Sequence, residues 1–169
     1  MTGKELWCVD IGVKKEKKET TDPGCKASPV IGENSLAGLV YFTVTGLSDV
    51  GRSKLEIEGD AKAALVALEK DTGKISWAYG LSDKSESSPI AVYDDDGNGW
   101  IIQCAWDGSI VMVDGLSGEP VASMKVKGNI EASPAAYNDI MVVGTTGKGT
   151  EKIYGIKIGT PPETPANPQ

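Results

Sequence analysis

A short phrase, Thr-Gly-Lys-x-x-Trp, recurs along this chain and constrains its fold more than any other feature. It stands at 72–77 as Thr-Gly-Lys-Ile-Ser-Trp and at 2–7 as Thr-Gly-Lys-Glu-Leu-Trp, and a weaker copy at 117–122 reads Ser-Gly-Glu-Pro-Val-Ala. Glycine reaches positive φ without strain, so Thr-Gly is typical of a tight turn. Each copy therefore predicts a turn that leads into a strand.

A second marker, a small residue followed by Ser-Pro, comes after every copy, at Ser28, Ser88 and Ser133. The interval from the glycine of the phrase to this serine is 15 residues in the second and third copies. In the first copy it is 25 residues, because ten residues are inserted. The sequence is therefore an array of three repeats.

Turn signals every 8 to 12 residues divide the repeats into short strands, which is typical of propeller blades of about 45 residues. We expect an all-β fold of three four-stranded antiparallel blades, at about 27–80, 87–127 and 132–158, the last lacking its fourth strand. A further strand is predicted at 4–11. Leu47 to Lys62 is predicted to be a long hairpin loop, and a helix over 60–70 is the less favoured alternative to a strand at 63–69. The predicted strands of the blades are 28–31, 39–44, 63–69, 74–79, 88–93, 100–105, 109–114, 120–126, 133–137, 140–145 and 152–158.

Residues 67–77 resemble the tryptophan-docking motif of the pyrroloquinoline-quinone-like β-propeller repeat family, in which Ala, Asp, Thr-Gly and Trp recur in that order. Glu69 stands at the position of the family's aspartate. The third copy of the phrase, at 117–122, keeps Gly118, with Asp114 before it, but has Ala122 at the position of the tryptophan. The resemblance implies that neighbouring blades are docked by Trp7, Thr72, Gly73, Trp77 and Gly118.

Closed propellers have about 4–8 blades, so three are too few for a ring. One expectation is that the chain is the C-terminal part of a larger propeller from an exported bacterial protein, extracellular or at the cell surface. The other is a homodimer in which two chains make a ring of six blades. The strand at 4–11 is available to complete the third blade.

Composition excludes several classes of function. A net charge of −7 and a pI of about 4.7 make nucleic acid and anionic membranes poor partners. The chain has no histidine, so the usual general base near neutral pH and histidine metal ligands are missing. No apolar run approaches the ~18 residues of a membrane span. We expect a neutral or cationic partner, either a protein or a glycan.

The acidic loop 94–99 is the best local candidate for a ligand site. Asp94, Asp96 and Asn98 offer oxygen ligands at alternate positions, and the two glycines between and after them permit a tight loop, as a calcium ion requires. The alternative is an ordinary acidic turn with no metal, because Asp, Asn and Gly are also common turn residues.

Three cysteines, Cys8, Cys25 and Cys104, are too few and too scattered for a disulfide framework. Cys8 and Cys25 flank the first insertion, and they either pair or remain isolated thiols. Trp100 and Trp106 are potential stacking platforms for a glycan, with core packing as the alternative. No catalytic residue is nominated, because no two carboxylates are predicted to converge.

Quinone-dependent dehydrogenase activity is the best-known chemistry of the resembled family. There it requires a full ring and, in alcohol dehydrogenases, adjacent cysteines, which this chain lacks. The sequence therefore favours a non-catalytic binding or scaffold module over a dehydrogenase fragment or a calcium-stabilised carbohydrate-binding propeller. The charged run from Lys14 to Glu19 is predicted to be a solvated loop, and 160–169 a Pro-rich linker or disordered tail.

Overall fold

The structure is a computed structural model and describes residues 3–12 and 23–159 of the chain. Strands that follow one another in sequence pair antiparallel, so each sheet is an up-and-down meander. The first sheet contains β1 (Val30–Ile31), β2 (Leu39–Thr45), β3 (Ala63–Glu69) and β4 (Ile75–Leu81). The second contains β5 (Ile90–Tyr93), β6 (Gly99–Cys104), β7 (Ser109–Asp114) and β8 (Pro120–Lys125). The third contains β9 (Ala135–Tyr137), β10 (Ile140–Thr145) and β11 (Lys152–Lys157).

The all-β prediction is confirmed, and the described sheets hold four, four and three strands. Two blades therefore have the predicted four strands, whereas the third has three. Helical structure in the described residues is limited to a 3-10 turn at Asn34–Leu36 and a short helix, α1, at Asp49–Lys54.

Strand alternation lets each sheet pack on its neighbours through both faces. On β2, Tyr41 faces the second sheet and shares a buried cluster with Ile101 and Val113. On β6, the next residue, Ile102, faces the opposite way and is buried with Met141 of β10. The three sheets are therefore stacked face to face in the order of the sequence, as propeller blades are.

The strand predicted at 4–11 is wrong. These residues have no regular secondary structure, and no described strand forms backbone hydrogen bonds with them. A strand needs a hydrogen-bonded neighbour, which this segment does not have. Trp7 and Ile11 instead pack against Val44 and Val66 on the face of the first sheet that points away from the second.

The loop predicted at 47–62 contains α1, so this prediction is wrong in part. Ser48 caps the helix, because its hydroxyl accepts a hydrogen bond from the N–H of Gly51 at 3.1 Å. Asp49 lies in the first turn and Arg52 and Lys54 in the last, which suits the helix dipole. These end signals are present in the sequence, but the helix has only six residues and no apolar periodicity.

The helical alternative for 60–70 is also wrong, because Ala63–Glu69 is the central strand β3, and all its residues except the last are buried. The charged run 14–19, the tail 160–169 and Thr2 lie outside the described residues. In the part of the chain that the structure describes, no helix has the length and apolar content to cross a bilayer.

Candidate functional site

Trp77 joins the first blade to the second. Its half-buried indole lies over Gly118, and Nε1 donates a hydrogen bond to the carbonyl oxygen of Gly115 at 3.0 Å. The buried hydroxyl of Tyr41 donates to the same oxygen, also at 3.0 Å. The centroids of the Tyr41 and Trp77 rings are 5.7 Å apart, a separation typical of aromatic pairs. One carbonyl of the second blade thus receives two donors from the first.

The N-terminal segment meets the first blade in the same way. The ring of Trp7 lies over Gly73, and its Nε1 donates to the carbonyl oxygen of Lys70 at 2.9 Å. In both joints the accepting carbonyl is three residues before the glycine, so the two contacts are equivalent. Trp7 therefore occupies, relative to the first blade, the position that Trp77 occupies relative to the second.

The turns beneath these rings are held by their own side chains. The Thr72 hydroxyl donates to Glu69 Oε2 at 2.7 Å and accepts from the N–H of Lys74 at 3.1 Å. In the second blade, Asp114 Oδ1 accepts from the N–H and the hydroxyl of Ser117 at 2.8 and 2.9 Å. Glu69 thus makes the equivalent threonine contact although it is longer than the aspartate of the resembled motif.

The joint between the second and third blades has no tryptophan. Ala122 occupies the corresponding place on β8, because it is opposite Met112 as Trp77 is opposite Ala67. An apolar pocket of about 130 Å³ opens beside it. The pocket walls include Ile102, Ile110, Met112, Met141, Ile156 and Ile158.

A larger opening, the rim cleft, lies between the first two blades and has a volume of about 480 Å³. It runs along the outer strands β4 and β8, and small side chains on its walls leave the space between the blades unfilled. The lining residues are Tyr79, Gly80, Leu81, Ser82, Gln103, Ala105, Ser109, Ile110, Val111, Ser123, Met124 and Lys125. Sequence reasoning did not find this cleft, because its residues come from two repeats and form no local motif.

The floor of the rim cleft is a buried amide with all its hydrogen bonds made. Gln103 Nε2 donates to the Ser85 hydroxyl at 3.0 Å and to the carbonyl oxygens of Ser87 and Cys104 at 3.0 and 2.8 Å. Its Oε1 accepts from the Thr43 hydroxyl at 2.6 Å. Because the partners come from both blades, this network fixes the floor rigidly.

One ion pair stands beside the cleft. Lys125 Nζ lies 2.7 Å from Asp107 Oδ2, and Asp107 also accepts from the N–H and hydroxyl of Ser109. Burial alone would raise the pKa of Asp107, but the hydrogen bonds from Lys125 and Ser109 outweigh it and hold the pKa below its usual value. The carboxylate therefore stays ionised and keeps Lys125 in place near neutral pH.

The predicted calcium loop is a hairpin turn closed largely by Asp94. Asp94 Oδ1 accepts from the N–H groups of Asp96 and Asn98, and Oδ2 accepts from Asn98 Nδ2 at 2.9 Å. The hydrogen bond from the Asn98 side chain is the largest of the effects that lower the pKa of Asp94. Within the described residues, no three cysteine or acidic side chains come together. Calcium binding here stays a prediction.

The other nominated side chains lie apart from the rim cleft. Trp106 carries the ammonium of Lys84 over its ring at 3.7 Å, and both Trp106 and Trp100 are half-buried. Cys8 and Cys25 are exposed free thiols, whereas Cys104 is buried. Neither tryptophan lines the cleft, so the predicted glycan platforms and the observed opening do not coincide.

Antiparallel sheets stacked face to face are typical of a class of protein, the β-propeller repeat proteins, and in fold the chain resembles the pyrroloquinoline-quinone-like repeats. Among the solved structures similar to it is BamB from Moraxella catarrhalis, with 19% identity and a TM-score of 0.48. Another is a europium-containing methanol dehydrogenase, with 16% identity and a TM-score of 0.48.

These alignments cover 75% and 72% of this chain, which spans only 32% and 21% of the two neighbours. No family model and no curated protein matches the sequence.

Proposed function

We propose that this chain is a non-catalytic scaffold whose rim cleft holds an extended segment of a partner protein. The observation that carries the proposal is β8, which is exposed along its whole length beside the cleft. Among the described strands only β7 pairs with it, so its outer edge is free. A free edge beside a groove suits strand addition, in which main-chain hydrogen bonds provide affinity and pockets select side chains.

The dimensions and walls of the cleft support this role. A volume of about 480 Å³ is within the range of binding clefts, and the walls combine apolar side chains with hydroxyl groups. Ser82, Ser109 and Ser123 offer hydroxyls, while Tyr79 and Val111 offer apolar surface. A peptide with alternating small apolar and polar side chains fits these walls.

Charge narrows the class of partner. The chain carries a net charge of −7, so a neutral or basic segment approaches it more favourably than an acidic one. Among the described residues that line the cleft, the basic side chain is Lys125, which is paired with Asp107. The location outside the cell, inferred from the sequence, remains a prediction.

Panning a random peptide library against the immobilised chain tests the proposal. We expect enriched peptides to lose at least about tenfold in affinity on Ser123→Arg, which fills the cleft, and to keep their affinity on Ser53→Arg on the exposed surface of α1. The proposal would be contradicted if the enriched peptides bind the Ser123→Arg variant as tightly as the unchanged protein, or if no peptides are enriched. Glycan binding lost on Trp106→Ala would favour the carbohydrate alternative instead.

A further inference from the structure

Residues that lie opposite one another across the strands of a sheet form a row, and equivalent rows can be followed in all three blades. They identify the face of each blade that packs against the following blade. One row runs Val30, Tyr41, Ala67, Trp77 in the first blade and Ile90, Ile102, Met112, Ala122 in the second. In the third blade it runs Ala135, Val142, Gly155, and stops. Tyr41 and Ile102, which face the following blade, have exposures of 0% and 1%. Val142, at the same place, is 43% exposed.

The face of the third blade that points away from the second is therefore a blade interface without its neighbour. It is apolar, and Tyr137, Ile140, Val142 and Ile153 are among the exposed large hydrophobic residues of the described chain. Ile153 is 82% exposed, which leaves most of an isoleucine side chain in water. We name Tyr137, Ile140, Val142, Gly155 and Ile153 the open face.

The N-terminal segment 3–12 stands where the fourth strand of a blade would be, but the described residues hold no other strands of that blade. Trp7 contacts the first blade as Trp77, from the fourth strand of the first blade, contacts the second. The segment is therefore placed as the fourth strand of a blade that precedes the first, yet no described strand pairs with it, and the described partners of its carbonyl groups are the side chains of Ser48 and Lys54. Among the described residues, the third blade has no fourth strand beside β11.

Three serines, each just before the first strand of a blade, form a ladder of hydrogen bonds from blade to blade. One end of this ladder offers a donor and the other end an acceptor. The N–H of Ser28 donates to the Ser88 hydroxyl at 3.0 Å, and the N–H of Ser88 donates to the Ser133 hydroxyl at 2.8 Å. Within residues 3–12 and 23–159, the ladder then stops with the N–H of Ser133 at one end and the hydroxyl of Ser28 at the other. A further donor and a further acceptor are thus placed to continue the existing interface.

The register of the existing blades fixes how the segment would pair with β11. Trp7 would be opposite Gly155, by analogy with Trp77 opposite Ala67, so a large ring again meets a small residue. Three residues further on, Asp10, whose carboxylate lies 2.8 Å from Lys54 Nζ of its own chain, would be opposite Lys152, which adds a second positive charge beside it. Size and charge on the two strands are therefore complementary.

We propose that two copies of this chain associate through these surfaces and close a six-bladed ring. Residues 4–11 of each copy pair with β11 of its partner, and the open face of each third blade covers the partner's first blade. There Phe42 is only half-buried, whereas the corresponding Gln103 in the second blade is fully buried. Leu55 at the end of α1 already packs on this face with Val44 and Val66, so the partner's open face would meet the part around Phe42 and Ile31, which is 61% exposed. Six blades fall within the range of closed propellers.

No segment has to unfold for this assembly, because residues 4–11 stay on their own first blade and offer only a free edge. The interface is used twice, since the same contact relates each copy to the other across a two-fold axis. The proposal is independent of the ligand of the rim cleft, which lies between blades of one chain.

Multi-angle light scattering of the full chain tests the ring. We expect a mass of twice 17.7 kDa, and we expect Ile153→Asp on the open face to weaken association at least about tenfold. Because Ile153 is exposed in the single chain, this substitution should leave the circular dichroism spectrum unchanged. Leu116→Asp is the matched control, since Leu116 is 56% exposed but lies outside the open face and should leave the dimer intact.

A disulfide trap tests the register directly. In a Cys8→Ser, Cys25→Ser background, Asp10→Cys combined with Lys152→Cys should form covalent dimers on oxidation, because facing residues of paired strands are within disulfide reach. Asp10→Cys combined with Asp139→Cys, at the opposite end of the third blade, should not. Three results would each overturn the proposal. They are a mass of 17.7 kDa at every concentration, a dimer whose affinity Ile153→Asp leaves unchanged, and an assembly whose mass keeps growing with concentration.

Discussion

The indole of Trp77 lies so close over Gly118 that a Cβ at this glycine would come within 2.6 Å of the ring atom Cδ2. Trp7 and Gly73 have the same relationship, also at 2.6 Å. The glycine therefore serves the joint in two ways, because it adopts the positive φ of the turn and leaves room for the ring of the adjacent blade. In these two contacts the fit depends on both the tryptophan and the glycine.

Gly118→Ala should destabilise the chain more than a turn glycine normally would. Gly118 and Gly59 have nearly the same φ, +77° and +78°, so both substitutions pay about 1–2 kcal/mol for left-handed backbone. Only Gly118 meets the Trp77 ring, whereas nothing lies within 4 Å of a Cβ at Gly59. Chemical denaturation should show a loss at least about 1 kcal/mol larger for Gly118→Ala. Equal losses would show that the ring contact does not contribute.

Ala122→Trp should stabilise the joint between the second and third blades. The side chain at 122 faces an apolar pocket of about 130 Å³ where the corresponding Trp77 fills its own interface. We expect a gain of about 0.5–2 kcal/mol, as for other cavity-filling changes, measured by thermal and denaturant unfolding. Val121→Trp, one residue away on the opposite face of β8, is the control and should give no gain. A gain from both variants would point to nonspecific effects of the indole.

Thr43→Val should be costly because it removes one donor from the buried Gln103 network. The Thr43 hydroxyl donates to Gln103 Oε1 at 2.6 Å, and both residues are buried. Leaving the amide oxygen without this donor should cost about 1–3 kcal/mol in the free energy of unfolding. Thr43→Ser keeps the hydroxyl and should lose less. If valine and serine behave alike, packing of the methyl group and not the hydrogen bond explains the threonine.

Cys104 should be the slow thiol of this protein. Burial raises its pKa to about 12, despite an opposing hydrogen bond from Ser87. After reduction, the exposed Cys8 and Cys25 should react with a thiol reagent in the folded protein, Cys25 the more slowly because burial raises the pKa of its thiol, and Cys104 only after denaturation. The Cys8→Ser, Cys25→Ser variant should show no rapid reaction, and a rapid one would place Cys104 at the surface.

The raised pKa of Cys104 also predicts that the folded protein loses stability at alkaline pH. The thiol ionises near its usual pKa of 9.0 in the unfolded chain, but only near 12 in the folded one. Its contribution is therefore complete below pH 9.0 and is lost as the pH rises toward 12. Cys104→Ala should flatten this part of the stability profile.

The calcium loop can be tested by melting temperature. Because Asp94 Oδ2 already accepts a hydrogen bond from Asn98, a bound ion would have to displace that bond. We therefore expect any binding to be no tighter than about 1 mM, with no rise in melting temperature at micromolar calcium. Asp94→Ala should lower the melting temperature with or without calcium. A rise at micromolar calcium that Asp96→Ala abolishes would show a real site.

Local signals in the sequence were sufficient for most strands. The ranges predicted for β7 and β10 agree with the observed Ser109–Asp114 and Ile140–Thr145, because alternation and turn residues mark both ends. Residues 4–11 differ, since their pattern suits a strand but the described chain has no neighbour to pair with. Helix α1 was missed because one and a half turns are too short for periodicity to appear.

No local sequence pattern predicts the rim cleft. Gln103 reads as an ordinary polar residue in a strand, and its burial depends on Thr43 from the preceding repeat and on Ser85 from the connection between blades. The spacing of Asp94 suits a metal ligand, and only the structure shows that its oxygens accept hydrogen bonds within its own turn. Calcium binding there stays a prediction.

The sequence by itself determined the repeat, the all-β class and the turns, because these depend on residue type and on spacing within a few tens of positions. Tertiary structure decided which faces are covered. Tyr41 and Val142 stand at the same place in their blades, yet one is buried and the other 43% exposed, because burial depends on whether another sheet lies against that face.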